Sequence, residues 1–144
     1  NMLREVAYTY PDKMITIIDF NEDLSRKIYA ASDMFLMPSK FEPCGLSQMI
    51  AMRYGTVPVV RETGGLKDTV HYFDKETKEG NGFSFATYNA HDMLFTLQRA
   101  VGLYYDEPEL WKTLMTNASK SNFDWKISAE TYLYYYKKVT GKLS

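Results

Sequence analysis

The first part of the chain alternates short apolar segments with amphipathic ones. Residues 14–20 (MITIIDF) are almost continuously apolar and rich in β-branched side chains, which is typical of a strand buried on both faces. Three similar segments follow at residues 34–38 (MFLMP), 57–61 (VPVVR) and 82–85 (GFSF). Because helical patterns separate the first three segments, we expect parallel pairing through right-handed crossovers. The pattern therefore predicts an α/β fold with part of a Rossmann-like, doubly wound parallel sheet.

Helix signals lie between the predicted strands. Asn21 can cap a helix that continues through about Ala31, with acidic residues in its first turn. A second helix is predicted to end at Gly55, since glycine is favoured just past a helix C-terminus. The positions of its helical pattern are Leu46, Met49, Ile50 and Arg53. The residues around Val6 are interpreted as the last turns of an earlier helix.

From about Asn89 onward the apolar residues keep a helical period. Two stripes are predicted, one made of Leu94, Leu97, Val101 and Tyr104 and one made of Leu110, Trp111, Leu114, Met115 and Ala118. Pro108 separates them and suits the first turn of the second helix. A last helix is predicted from near Ser128 to Val139. Its aromatic residues are expected to pack helices on the sheet, with a sugar-stacking surface as the alternative; they are Tyr132, Tyr134, Tyr135 and Tyr136.

The chain is long enough for one domain, but two strands of the expected sheet are missing from its 144 residues. In a nucleotide-binding sheet of strand order 3-2-1-4-5-6, the four apolar segments correspond to strands 3 to 6. We therefore interpret residues 1–144 as one domain, truncated at its N-terminus, of a longer protein. Open sheet edges are expected to cause self-association or marginal stability.

Composition narrows the classes of partner. Seventeen basic and eighteen acidic residues leave a net charge of -1, which argues against a broad surface for nucleic acid. No apolar run approaches the ~20 residues that span a bilayer, so no membrane segment is expected. One cysteine and two distant histidines offer neither an internal disulfide nor zinc-ligand spacing. We expect a cytoplasmic protein without a metal site.

The loop after the second predicted strand carries the strongest signal for ligand binding. Here the amides of four residues are predicted to be unpaired donors at a helix N-terminus, a natural site for phosphate; they belong to Cys44, Gly45, Leu46 and Ser47. A carboxylate at Glu42 would be repelled by phosphate and should face hydroxyl donors such as those of a sugar. The alternative is that Glu42 caps a turn.

Two other loops should reach the same edge of the sheet. Phe20 is either a stacking platform for a base or a core aromatic residue. Gly64 and Gly65 permit close backbone approach or positive φ. Arg61 and Lys67 either neutralise phosphate or are solvated surface charges.

Residues 41–46 (FEPCGL) and 63–70 (TGGLKDTV) strongly resemble the glycogen and starch synthases. The resemblance covers essentially the whole chain, including residues 122–125 (NFDW). It implies the C-terminal domain of a retaining glucosyltransferase whose two Rossmann-like domains face a cleft. Ile50 stands where many related glycosyltransferases carry a second glutamate, which favours this branch.

The resemblance also implies an activity and a set of site residues. The family transfers glucose from ADP-glucose to the non-reducing end of an α-1,4-glucan with retention, and it needs no metal or other cofactor. Glu42 matches the active-site glutamate that holds the donor glucose, and Phe20 matches a tyrosine that stacks on adenine. The remaining donor-binding residues implied are Cys44, Gly45, Leu46, Ser47, Thr63, Gly64 and Gly65.

The same resemblance implies that important parts lie elsewhere in the protein. The family's N-terminal domain and its diphosphate-neutralising Arg and Lys have no counterparts here, so we expect the isolated chain to be inactive. ADP-glucose and glucan would be partners of the full-length enzyme. Two alternatives stay open: a UDP-sugar-dependent glycosyltransferase of another branch, or a non-catalytic α/β ligand-binding module.

Overall fold

A computed structural model describes residues 2–142 of the chain. Asn1, Leu143 and Ser144, which end the predicted domain, lie outside the described residues. The elements in chain order are α1 (Met2–Thr9), α2 (Glu22–Ala31), β1 (Met34–Met37), α3 (Ser47–Arg53), β2 (Val57–Arg61), α4 (Gly65–Thr69), β3 (Phe83–Phe85), α5 (Ala90–Asp106), α6 (Pro108–Lys120) and α7 (Trp125–Val139).

Three of the predicted strands form a parallel sheet in the order β1-β2-β3. In its register Met34 lies beside Val57, and Val59 lies beside Phe83. The central strand β2 is buried along four of its five residues, because helices cover both faces of the sheet. The predicted α/β class and the parallel pairing are confirmed.

The prediction of a strand at residues 14–20 is wrong. The segment has irregular backbone, and Ile15 within it is 82% exposed. A β-branched sequence favours extended backbone, but a strand also needs a neighbour to complete its hydrogen-bond ladder. Among residues 2–142 no strand lies beside this segment, and β1 pairs only with β2. Its tie to the rest of the chain includes a bond from Thr16 Oγ1 to the carbonyl oxygen of Leu3 (3.0 Å).

The core has two layers, one on each face of the sheet. Val57 and Val59 face one layer and Val60 the other, because side chains alternate along a strand. The first layer is completed by Phe73, Phe83, Ala100, Leu103, Trp111 and Leu114, and the second by Met52, Leu66, Val70 and Ala118.

The structure corrects the buried faces of two helices. Helix α3 buries Gln48, Ala51 and Met52, and of its predicted stripe only Met49 packs against the core. Helix α5 buries Thr96, Ala100 and Leu103. Of its predicted stripe, Leu97 and Tyr104 pack against the core, whereas Leu94 and Val101 are exposed. Both helices are apolar around much of their circumference, so the sheet decides which side is covered. The stripe predicted for α6 is confirmed by its buried residues, Trp111, Leu114 and Ala118.

The predicted packing of the last tyrosines on the sheet is wrong. Helix α7 has no buried residue, and Tyr132, Tyr134, Tyr135 and Tyr136 are each between 50% and 65% exposed. These rings contact one another, with the centroids of Tyr132 and Tyr136 6.3 Å apart. The helix does begin with a side-chain cap, because Asp124 accepts a bond from the amide of Lys126. None of the helices between residues 2 and 142 is long and apolar enough to cross a membrane.

Candidate functional site

The candidate site is the loop that joins β1 to α3, at the carboxyl edge of the sheet. Helix α3 starts without a side-chain cap, since its N-cap residue is Leu46. The amides of residues 44–47 donate no hydrogen bond to another described residue. Uncapped amides at a helix start attract anions, so this loop can offer several donors to one ligand.

Glu42 lies beside these amides in sequence and is half-buried. Within residues 2–142 its carboxylate makes no hydrogen bond and no ion pair. The structure therefore gives no support to the interpretation that Glu42 caps a turn. A half-buried carboxylate without a protein partner can accept hydrogen bonds from ligand hydroxyls.

Gly45 is required by both its backbone and its surroundings. Its φ is +72°, and a Cβ atom there would lie 2.5 Å from Oε1 of Gln48. Gln48 in turn donates from Nε2 to the carbonyl oxygens of Gly45 (2.9 Å) and Cys44 (3.3 Å) and to Oγ1 of Thr69 (3.1 Å). The loop is thus held from inside the protein by a buried amide.

The glycine pair at Gly64 and Gly65 packs directly under the same loop. A Cβ on Gly64 would lie 1.9 Å from the carbonyl oxygen of Glu42, and one on Gly65 would lie 2.0 Å from that of Cys44. The amide of Gly65 also donates to the carbonyl oxygen of Pro43 (3.1 Å). The close approach permitted by these glycines is therefore to the neighbouring loop, and Gly64 has the predicted positive φ of +45°.

The short helix α4 was not predicted from the sequence. It begins at Gly65, with the amide of Leu66 donating to the carbonyl oxygen of Thr63 (3.1 Å). Leu66 and Val70 are both buried against the second core layer. Their spacing of four residues is the signal that could have revealed this helical turn.

Phe20 lies at the end of the irregular segment that precedes α2. Its side chain is 87% exposed, so the interpretation as a core residue is wrong. Its amide donates to Oδ1 of Asp19 (2.8 Å), and Asn21 caps α2 through the amide of Leu24 (2.9 Å). An exposed aromatic face is free for stacking, although the described residues supply no ring that pairs with it.

Arg61 holds the start of the candidate loop. Its guanidinium donates from one nitrogen to the carbonyl oxygens of Lys40 (2.7 Å) and Ser39 (3.3 Å) and lies 5.4 Å from the ring centre of Tyr88. Arg61 therefore does not act as a solvated surface charge, whereas Lys67 is exposed. Sequence reasoning missed this role, because the carbonyl groups lie 22 and 21 positions away and only the fold brings them close. It also missed Gln48, whose carbonyl partners are local but whose side chain is fixed by burial and by Thr69.

The clear pKa shifts in the described part of the chain lie away from this loop. Backbone N–H bonds from Thr77 and then Glu76 lower the pKa of Asp74. A hydrogen bond to Glu107 raises the pKa of Lys75, and the nearby charge of Asp33 raises the pKa of Tyr104. Across residues 2–142 no three His, Cys, Asp or Glu side chains form a group that could hold a metal ion.

The amino-acid sequence is similar to those of several known proteins. The chain is 55% identical over 134 residues to a glycogen synthase of Bacillus cereus strain B4264, covering 93% of the chain and 28% of the relative. It is 51% identical over 142 residues to a glycogen synthase of Clostridium novyi, covering 99% of the chain and 29% of the relative. The chain thus spans less than a third of the length of these curated relatives.

Solved structures and a family profile agree with these relatives. The catalytic domain of starch synthase IV from Arabidopsis thaliana, bound to ADP and acarbose, matches with a TM-score of 0.84 and 38% identity, over 95% of this chain and 29% of that one. A sucrose-phosphate synthase from Thermosynechococcus elongatus shares the fold (TM-score 0.68, 21% identity, 97% of this chain and 34% of that one). The profile described as "Glycosyl transferases group 1" matches residues 7–118. By sequence and by structure, the chain belongs to the group 1 glycosyl transferases.

Proposed function

We propose that this chain is the donor-binding part of a glycogen or starch synthase, as the resemblance in its sequence implied. The whole enzyme would transfer glucose from ADP-glucose to the non-reducing end of an α-1,4-glucan with retention of configuration. The observation that carries this proposal is the set of unpaired amides at residues 44–47 beside the unpartnered carboxylate of Glu42. The glycogen synthase relatives and the ADP bound to the starch synthase support it.

The proposed chemistry separates the two halves of the donor. Negative charge develops on the diphosphate as the glycosidic bond breaks, and preorganised N–H donors stabilise that charge. The amides of Cys44, Gly45, Leu46 and Ser47 would supply such donors. Glu42 would accept hydrogen bonds from the glucose hydroxyls and so hold the anomeric carbon in place.

The other predicted donor-binding residues take roles that their positions support. The exposed ring of Phe20 would stack on the adenine. Thr63, Gly64 and Gly65 would act mainly by supporting the backbone of Glu42 and Cys44, on which the two glycines pack. No resident metal or other cofactor is part of the proposal, and a cytoplasmic location stays a prediction.

Donor binding by this chain alone should be weak. Hydrogen bonds to a charged group contribute ~1.5–3 kcal/mol each, and association itself is costly. Two or three such bonds therefore leave a dissociation constant near the millimolar range, about 4 kcal/mol of binding free energy. Catalysis would additionally need cationic groups and an acceptor site outside these residues.

A chimeric enzyme tests the proposal. This chain would replace the 134 matching residues of the Bacillus cereus glycogen synthase, and glucose incorporation into glycogen would be measured with ADP-glucose and with UDP-glucose. We expect glucose incorporation from ADP-glucose. E42Q should lower the rate of incorporation at least about a hundredfold, because the donor glucose would lose a contact that orients it. Glu79→Gln, the same change at an exposed position, is the matched control and should keep full activity.

Three results would contradict the proposal. A folded chimera that transfers no glucose from either donor would favour a ligand-binding module. Preference for UDP-glucose would place the chain in another glycosyltransferase branch. Full activity in E42Q would remove Glu42 from the site.

A further inference from the structure

We propose that Gln48 of α3 and Thr69 of α4 are positioning residues for the donor loop (residues 44–47), acting as one unit. The inference rests on the proposed donor-binding function of residues 44–47. It concerns residues that touch no ligand but set where the loop amides lie.

The unit is a continuous line of hydrogen bonds. Thr69 Oγ1 donates to the carbonyl oxygen of Gly65 (2.6 Å) and accepts from Nε2 of Gln48 (3.1 Å). The same nitrogen donates to the carbonyl oxygen of Gly45 (2.9 Å). The line therefore joins α4 to the turn at which the proposed phosphate-binding amides begin.

Burial makes this unit unusual. Gln48 is fully buried, and its Oε1 has no hydrogen-bond partner in residues 2–142. A buried amide oxygen without a partner is unfavourable, and an apolar side chain of similar shape would avoid that penalty. The compensating role of the glutamine lies in its Nε2, which holds the backbone oxygens of the loop.

The position of Oε1 gives a second reason for a precise fit. It lies 2.5 Å from the place where a Cβ on Gly45 would stand, so the side-chain amide sits directly against the glycine. Gly45 has positive φ and is itself buried. Rotation of the Gln48 amide would break its bonds to the carbonyl oxygens of Cys44 and Gly45, in the turn whose amides are proposed to bind diphosphate.

Rigid placement matters because amides act on a diphosphate only from defined directions. A misplacement of about 1 Å can cost a large factor in binding or rate. Without the anchor at Thr69, Nε2 keeps only the carbonyl oxygens of Cys44 and Gly45, which lie just before its own helix and move together with it. The loop would stay folded on average but would sample more positions.

Substitutions at Thr69 test this proposal in the 144-residue chain. Thr69→Val removes the hydroxyl and keeps the shape, whereas Thr69→Ser keeps the hydroxyl and is the rescue control. We expect T69V to weaken ADP binding about five- to tenfold, measured by NMR shifts of the amides of residues 44–47, on the scale of one lost hydrogen bond. T69S should bind as the unsubstituted chain does.

A second measurement needs no ligand. Hydrogen exchange at Gly65 and Ile50, whose amides donate to the carbonyl oxygens of Pro43 and Leu46, and the side-chain NH₂ signals of Gln48 report the order of the loop. T69V should speed exchange there several-fold and shift the NH₂ signals, while α5 exchanges as before. If T69V does not fold, Q48M, which also lacks the donor, gives the same comparison through backbone hydrogen exchange alone.

The outcomes separate this inference from the proposed function. Unchanged ADP affinity and unchanged loop exchange in T69V would overturn the positioning role and leave the donor site intact. No ADP binding by the unsubstituted chain at tens of millimolar would count against the proposed function. In that case loop exchange alone decides the positioning role, and equal effects of T69V and T69S would refute it.

Discussion

Replacement of Gly64 by alanine tests how far the candidate site depends on contact between its two loops. The new Cβ would stand 1.9 Å from the carbonyl oxygen of Glu42, whereas real Cβ contacts are essentially never shorter than 3.0 Å. The two loops must therefore separate by about 1 Å. Because the displaced backbone carries Glu42 and Pro43, the change reaches the proposed active-site carboxylate.

The magnitude has two parts. At φ +45° and ψ -136° Gly64 lies outside the left-handed helical region, and an alanine held there costs ~1–3 kcal/mol, to which overpacking adds ~1–3 kcal/mol. We expect G64A to lower the free energy of unfolding by roughly 2–6 kcal/mol. In the chimeric enzyme a shift of about 1 Å at Glu42 should reduce glucose transfer on the order of a hundredfold.

Gly55→Ala is the matched control, because it separates backbone strain from collision. Gly55 has φ +83°, but a Cβ there would meet only Cε of Met115, at 4.0 Å. Urea unfolding followed by circular dichroism should show a loss of ~1–2 kcal/mol for G55A, and activity should survive. Equal losses of stability and activity in the two variants would refute the argument that loop contact, not glycine conformation, is what the site needs.

Three further predictions follow from other parts of the structure. Arg61→Ala should cost ~1–3 kcal/mol in urea unfolding, since it removes two bonds to loop carbonyls, whereas exposed Lys67→Ala should change stability by no more than ~0.5 kcal/mol. The pKa of Asp74 is lowered in the folded chain, so its contribution is present above the ordinary value of 3.8 and is lost as the pH falls below it. Asp74→Asn should therefore weaken the pH dependence of the free energy of unfolding below about pH 4. The same pH dependence in the variant and the unsubstituted chain would count against this role of Asp74. The unpaired edge of β1 should cause concentration-dependent association in sedimentation, and a monodisperse, high-melting monomer would contradict this expectation.

Much of the fold could be predicted from local pattern. Asn21 and Asn89 were predicted at helix starts, and both side chains accept a bond from the amide three residues on. Gly55 was predicted just past a helix end and has positive φ there. Such signals are readable because a cap or a turn depends on residues within one or two helical turns.

Two wrong predictions, the strand at residues 14–20 and the packing of the last tyrosines, share one cause. Each needed a neighbouring element in the folded chain, which the local sequence does not reveal. Residues 14–20 have strand composition but no strand beside them in residues 2–142. The tyrosines of α7 have helical spacing but contact one another and no core. Periodicity shows that a face is apolar; it does not show what covers that face.

In the candidate site too, some features follow from the local sequence and others only from the tertiary structure. Sequence alone determined the α/β order, the loop of unpaired amides and the glutamate beside them, because a glycine, a proline and a helix start have local consequences. Only the tertiary structure decided that Gly64 and Gly65 lie under that loop and that Gln48 and Arg61 hold its carbonyl oxygens. The two glycines and Arg61 contact residues more than twenty positions earlier in the chain, and Gln48 is fixed by a bond to Thr69, 21 positions away. Such distances close only when the whole chain packs.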